Sequence, residues 1–221
     1  MNIYPFIIRF FYRIGFRHLA LLLLSELRRR FFSEERYYGF YFPFSQEIQV
    51  DDPPFHLHIR KIMPQDLPIL FYKANQGLSI YEIRERLQRL LFLRADVSKC
   101  FVASGPDSLP YAICWLLTHE ENHLLKSYFK GNIPLLKRDE VLLEFVYVHP
   151  QYRGKKLMEW ISKKLFQRAK LEGANRAIAY VKGENRTSLK ASGSIGWRPF
   201  VEKRVVWKFF KRQIAYKSIT G

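Results

Sequence analysis

The stretch from Val141 to Lys156 is where this sequence shows its chemistry most openly. Val141–Val148 reads as a strand, and His149-Pro150 stops it. Gln151-Tyr152-Arg153-Gly154-Lys155-Lys156 follows, then Leu157, Met158 and a pattern that predicts a helix over Gly154–Glu172, with Gly173 as its stop. A helix start offers unbonded backbone N–H groups and the positive end of the dipole, which together suit an anion. Gly154 lets backbone come close to a phosphate. Arg153, Lys155 and Lys156 oppose the dipole where they stand, so an anion explains them better than helix stability does. These residues predict a phosphate-binding turn; a basic helix start without a ligand is the alternative.

Glu144 is the candidate general base. It lies mid-strand, on the face of Leu142 and Val146 by alternation. A carboxylate among apolar neighbours suits removal of an amine proton. A glutamate paired with a lysine, or facing solvent on an edge, is the competing reading. His119 and His123 are weaker candidates for the same role, and His149 reads as a turn residue. Tyr147 and Tyr180 either border a site or simply pack. Cys100 and Cys114 read as core residues, not nucleophiles, and no His/Cys/Asp cluster has metal spacing, so no metal is expected.

The elements that must position these residues follow from periodicity. His56–Ile62 alternates as a strand, and Met63-Pro64-Gln65-Asp66 turns into a helix over Leu67–Asn75. Ser79 and Glu82 form a capping box ahead of a helix from Ile80 to about Leu93. Cys100–Ala103 and Tyr111–Leu117 flank Gly105-Pro106-Asp107-Ser108 as a hairpin. Thr118–Arg138 is polar and reads as irregular. After the 154–172 helix come a strand at Arg176–Val181, a short helix capped by Asn185, and a final strand pair at Arg198–Val201 and Val205–Phe210. This order argues for a mixed α/β single sheet. Upstream, Pro5–Phe32 reads as one or two amphipathic helices. Arg9, Arg13 and Arg17 form a polar stripe, and Phe6, Ile7, Phe10, Phe11, Ile14, Leu21 and Leu24 form the apolar face. Such a helix lies either on a membrane surface or on protein. Tyr37–Phe44 is an aromatic strand or strap. The Asp51-Asp52-Pro53-Pro54 break suggests two parts, an N-terminal amphipathic extension at 1–55 and a domain at 56–221.

At 221 residues and 48% hydrophobic, the chain can bury a sizeable core, which excludes wholesale disorder. No apolar run reaches the roughly 18–20 residues that span a bilayer, and no secretory signal is evident. Two cysteines make no disulfide framework. A cytoplasmic protein is therefore expected, with peripheral contact at the inner membrane face as a further expectation. The net charge of +17 is unevenly spread. Residues 51–150 carry 12 basic and 12 acidic side chains, whereas residues 151–221 carry 18 and 4. A neutral body with one basic end points to a polyanionic ligand near that end.

The run Val146-Tyr147-Val148-His149-Pro150-Gln151-Tyr152-Arg153-Gly154-Lys155-Lys156-Leu157 resembles the acyl-CoA signature of the GNAT acyltransferase superfamily. Asn185, Ser188, Leu189, Gly196 and Trp197 resemble its second signature, after the next strand. The element order from about residue 56 to 210 fits as well. The aromatic, basic N-terminal segment is similar to that of acyltransferases found alongside bacterial cell-surface polysaccharide genes. The resemblance implies a GNAT-like mixed, mostly antiparallel central sheet flanked by helices. It implies that the 141–148 and 176–181 strands splay apart and that a pantetheine arm bonds Val146 and Val148. It further implies a pyrophosphate on the N–H groups of residues 153–158, with Arg153, Gly154, Lys155, Lys156, Leu157, Met158, Asn185 and Ser188 around the cofactor, and Tyr147 on the same strand. Two departures stand out. Lys156 replaces the signature's second small residue, with Met158 two further on. Ser192 stands where many members carry a tyrosine acid.

The implied function is N-acyl transfer from acetyl-CoA, or another acyl-CoA, to an amine of a small molecule, amino sugar or peptide, or to a hydroxyl. Glu144 is the implied base and Ser192 the candidate acid. Membrane contact through residues 1–32 and a homodimer are further expectations. The alternative is a catalytically silent GNAT-like module whose basic C-terminal third holds nucleic acid or an anionic membrane surface. Nucleic acid is the less expected partner, because no aromatic–basic stacking motif appears.

Overall fold

The computed structural model describes residues 3–45, 47–51, 56–71, 79–95 and 98–219. Its helices are α1 (Tyr4–Phe31), α2 (Asp66–Phe71), α3 (Ile80–Ala95), α4 (Asn122–Ser127), α5 (Leu157–Leu171) and α6 (Arg186–Ile195). Its strands are β1 (Phe32–Pro43), β2 (His58–Lys61), β3 (Cys100–Ser104), β4 (Pro110–Leu117), β5 (Glu140–Val148), β6 (Arg176–Lys182), β7 (Arg198–Lys208) and β8 (Lys211–Ser218). Among the described residues these strands form one mixed, mostly antiparallel sheet in the order β2-β3-β4-β5-β6-β1-β7-β8, flanked by helices. None of the described helices is long and apolar enough to cross a membrane. Two compact units cluster within the chain: Met1–Leu27, Pro53–Trp115 and Phe145–Leu157 form the first, and Arg28–Asp52, Leu116–Glu144 and Met158–Gly221 the second.

In the first unit, the Ser79–Glu82 capping box forms as its spacing predicts. The Glu82 N–H donates to Ser79 Oγ at 3.2 Å, and the Ser79 N–H donates to Glu82 Oε2 at 3.0 Å. That box starts α3, whose inner face buries Ile83, Leu90, Phe92 and Leu93. Cys100 and Cys114 are buried in the antiparallel β3–β4 pair, and burial pushes the Cys114 thiol up, away from the thiolate a nucleophile needs. The α1 helix buries Phe10, Ile14 and Leu22 but leaves Leu21 and Leu24 exposed. The expected single apolar face fails because Gly15 takes φ 74 and ψ 161, a kink that resets the helical phase halfway along. The distal part of the expected 67–75 helix and most of the expected 51–54 break lie outside the described residues.

In the second unit, the aromatic N-terminal stretch is a strand, not a strap. β1 pairs antiparallel with β6 from Tyr37↔Lys182 to Pro43↔Arg176, and with β7 from Phe32↔Lys208 to Tyr41↔Arg198. Aromatic rings favour this pleated, two-sided burial. Phe42, Phe44, Phe166 and Trp197 pack together behind it, with ring centroids 5.3–6.2 Å apart. Two expectations need correction here. The expected final strand pair is a single strand, β7, because Lys203 faces inward between Val201 and Val205 and keeps the alternation unbroken. The stretch 118–138 is not wholly irregular. Glu121 accepts from the Thr118 N–H and Oγ1, both at 2.8 Å, and this cap leads into α4.

The β1–β7 register shifts between Gly39 and Phe40, and a Cβ at Gly39 would meet Val201 Cγ1 at 2.5 Å and Tyr180 Cε1 at 2.9 Å. No rotamer change of β-branched Val201 clears that overlap cheaply. We expect Gly39→Ala to cost about 1–3 kcal/mol by overpacking, read as a lower urea midpoint at unchanged slope. An unchanged midpoint would show that the β1 contact is looser than its geometry.

Candidate functional site

The first unit carries the end of β5 and the turn after it. Phe145 has φ 53 inside a strand, a left-handed break. Its carbonyl accepts from Arg89 Nε at 3.3 Å, and its ring packs on Phe92 and Trp115 at 5.2 and 5.8 Å. Arg86 Nη2 donates to Tyr147 Oη at 3.3 Å, and the Arg86 and Arg89 guanidiniums lie 5.9 and 5.3 Å from the Tyr147 ring centroid. Two arginines of α3 thus hold the strand in its bent course. The alternation that put Glu144 and Val146 on one face does not run through this break. Val146, Tyr147 and Val148 are all half-buried.

The turn is fastened to β4. The His149 N–H donates to the Tyr111 carbonyl at 2.9 Å, and the Tyr111 and Tyr152 rings stack at 3.7 Å. Arg153 Nε donates to the Val148 carbonyl at 3.3 Å, and Lys155 Nζ lies 5.7 Å from the Tyr152 ring centroid. Arg153, Gly154, Lys155 and Lys156 are exposed. The helix begins at Leu157, not at Gly154 as the pattern predicts. The reason is local: Gly154 has φ 79 and Lys156 has φ 53, and neither conformation propagates a right-handed helix. Lys156 therefore stands in a backbone conformation that glycine adopts most readily. Leu157 is buried as the first residue of α5.

The second unit carries Met158, half-buried in the first turn of α5, where its carbonyl accepts from Ser162 Oγ at 2.6 Å. Parallel pairing of β5 with β6 is short. It runs Glu140↔Arg176, Val141↔Ala177, Leu142↔Ile178 and ends before Glu144. The charge of Glu144 acts on Tyr128, Tyr180 and Lys203. Burial, reinforced by Glu144, pushes both tyrosine hydroxyls up, so they stay protonated at neutral pH. Asn185 caps α6 as predicted, accepting from the Ser188 N–H at 3.1 Å. The buried Ser192 hydroxyl donates to the Ser188 carbonyl at 2.9 Å, which occupies its proton within the helix. His119 is half-buried, and exposed His123 bonds the Glu120 carbonyl through Nδ1.

Lys203 is the functional candidate that sequence reasoning missed. It is 1% exposed, donates to the Asn132 carbonyl and Oδ1 at 3.0 and 3.3 Å, and lies 4.0 and 5.0 Å from the ring centroids of Tyr37 and Tyr180. Burial lowers its ammonium to about 8; Glu144 and Glu35 oppose that shift, and Arg212 adds to it. A lysine at an inward position of the Val201–Val205 alternation was the signal in the sequence.

Comparison with solved structures places this architecture in the GNAT class of folds. The chain is similar to the GCN5-related N-acetyltransferase from Sphaerobacter thermophilus, at 12% identity and a TM-score of 0.51, over 90% of this chain and 56% of that one. It is similar to a glucosamine N-acetyltransferase region of a fungal multi-domain GH3 β-N-acetylglucosaminidase, at 14% and 0.53, over 85% and 22%. A tandem GNAT protein from the clavulanic acid biosynthesis pathway matches at 8% and 0.53, over 89% and 58%. The chain thus spans about half the length of the first of these. No protein with a curated description matches. Residues 90–192 match the model of the acetyltransferase (GNAT) family.

Lys156→Gly should relieve left-handed strain and raise stability by about 1 kcal/mol in denaturant unfolding, whereas Gly154→Val should lower it. Lys203 makes stability depend on pH. Its folded-state value lies below the unfolded one, so between pH 8 and 10.5 the unfolded chain holds the extra proton and stability rises with pH. Below pH 8 the full burial cost of about 3 kcal/mol is present. Lys203→Met should therefore flatten that rise. It should stabilise the protein at pH 7 by about 1–2 kcal/mol, after the loss at the Asn132 carbonyl is deducted. Melting temperatures across pH 7–10.5 check both statements.

Proposed function

We propose that the protein is an acyl-CoA-dependent N-acyltransferase, with acetyl as the acyl group, acting on an amine of a small molecule, amino sugar or peptide. The observation that carries this reading is the 153–157 turn. Two left-handed residues hold its backbone open ahead of α5, and one of them is a lysine in a conformation that ordinarily belongs to glycine. Strain of this kind persists where a function needs it. Three exposed cations beside the start of a helix fit a pyrophosphate. The family match to 90–192 supports the same assignment.

When bound, acyl-CoA supplies a thioester carbon for direct attack by the amine. In this reading Arg153, Lys155 and Lys156 hold the phosphates, with Gly154, Leu157 and Met158 giving backbone N–H groups. Val146 and Val148 bond the pantetheine amides with their main chain. A backbone N–H near Val146 meets the charge that grows on the carbonyl oxygen as the C–N bond forms. Glu144 takes the amine proton, and the sulfur leaves as thiolate when the C–S bond breaks. Lys203 lies within the reach of the Glu144 charge. Asn185 and Ser188 set the start of α6. Ser192 serves the same helix rather than the leaving thiol.

Calorimetry with acetyl-CoA tests the cofactor site. We expect micromolar binding, weakened at least about tenfold in Gly154→Asp, which sets a carboxylate among the phosphates. Absence of binding in the folded wild type refutes the reading. Mass-spectrometric screening of amines, amino sugars and peptides for an acetyl mass gain then identifies the acceptor. With that acceptor, Glu144→Gln should lower kcat by about 10²–10³ and leave the KM for acetyl-CoA unchanged. An undiminished kcat removes Glu144 from the mechanism.

A further inference from the structure

Two short stretches of like composition stand at opposite ends of the sequence: Arg28-Arg29-Arg30-Phe31-Phe32 and Lys208-Phe209-Phe210-Lys211-Arg212. Neither contains an acidic residue. The fold of the second unit joins them. β1 pairs Phe32 with Lys208, the Phe209 N–H donates to the Phe31 carbonyl, and the Phe210 N–H donates to the Arg30 carbonyl, both at 2.8 Å. The rings of Phe31 and Phe209 meet edge to face at 5.1 Å, and that of Phe210 lies 6.4 Å from Phe31. All four phenylalanines remain more than half exposed, Phe209 at 71%. Arg28, Arg30, Lys208 and Lys211 are exposed around them, while Arg29 and Arg212 lie 5.2 and 5.8 Å from the Trp207 ring centroid.

The turn itself is costly. Lys208↔Lys211 closes a two-residue hairpin whose central residues, Phe209 and Phe210, have φ 47 and 65. Such a turn favours Asn-Gly, and bulky residues there are strained. Exposed aromatic rings held in a strained turn, without burial to offset the strain, mark a contact surface.

The chemistry of the patch selects its partner. Four exposed cations beside four rings fit a surface that is anionic at its rim and apolar beneath it. A second copy of this chain would bring like charges face to face. Nucleic acid bases stack on open ring faces, but these rings close edge to face at 88° and 71°. We propose that this tip docks on an anionic phospholipid bilayer, the four phenylalanines at the headgroup–acyl boundary and the cations among the phosphates. The tip is built from residues apart from the 153–157 turn, and the proposal does not depend on the transferase reading.

Co-sedimentation of the full chain with vesicles tests it. We expect binding to phosphatidylcholine vesicles holding about 30% phosphatidylglycerol at about 0.1 M salt, and at least about tenfold weaker binding to pure phosphatidylcholine or at about 0.5 M salt. The double variant Phe209→Asn with Phe210→Gly gives the turn its favoured residues, so it should melt no lower than the wild type while losing binding at least about tenfold. Lys208→Gln with Lys211→Gln leaves the turn intact and should weaken binding at least about fivefold. Failure of the wild type to bind anionic vesicles overturns the proposal, as does undiminished binding of both variants. Tighter binding to a single-stranded oligonucleotide than to vesicles, lost in the Asn-Gly variant, overturns it in favour of nucleic acid.

Discussion

The bend at Phe145 is the constraint on which the candidate site depends. A residue in the left-handed region rotates the following peptides out of the ladder, so a strand that contains one cannot keep its partners on both sides. The cost is met locally. Arg89 bonds the displaced carbonyl, and Phe92 and Trp115 clamp the ring. These three residues come from two elements that precede β5 in the chain, α3 and β4. Their buried arginine and aromatic side chains therefore serve the strand's geometry as much as their own packing. The three-position register between β5 and β6 is consistent with the same break: pairing has ended by Leu142, before the residue proposed as base.

Strain recurs wherever the chain meets a proposed ligand. Lys156 at the phosphate turn and Phe209 and Phe210 at the hairpin tip share the positive φ of Phe145. Each non-glycine residue held there costs of order 1–2 kcal/mol. The surrounding contacts over-determine the conformation in each case: the Tyr111–Tyr152 stack beside one turn, the Phe31 and Arg30 carbonyls beside the other. Lys203 is an electrostatic counterpart, a cation kept in the interior by Asn132 and two tyrosine faces. Its burial ties the charge state of the Glu144 neighbourhood to the stability of the second unit.

The N-terminal segment does two different things. Its helix buries Phe10, Ile14 and Leu22, while the strand that follows enters the sheet between β6 and β7. The junction of helix and strand supplies half of the basic, aromatic tip, and the β7–β8 turn supplies the other half.

Much of the local structure was legible because local physics sets it. The Ser79–Glu82 and Asn185 caps, the strand ending at His149-Pro150 and the glycine stop at Gly173 depend on residues only a few positions apart. The cations of the 153–156 turn were legible for the same reason. Features made by residues distant in sequence were not. No periodicity announces that Phe145 turns left-handed, since Arg89, Phe92 and Trp115 enforce it across 30 to 56 positions. The phase break at Gly15 and the delayed start of α5 arise from backbone angles that composition does not specify. The interior place of Lys203, the seat of β1 within the sheet and the meeting of Phe31 with Phe209 are decided only when strands choose partners, because pairing energy is collected across the chain and not along it.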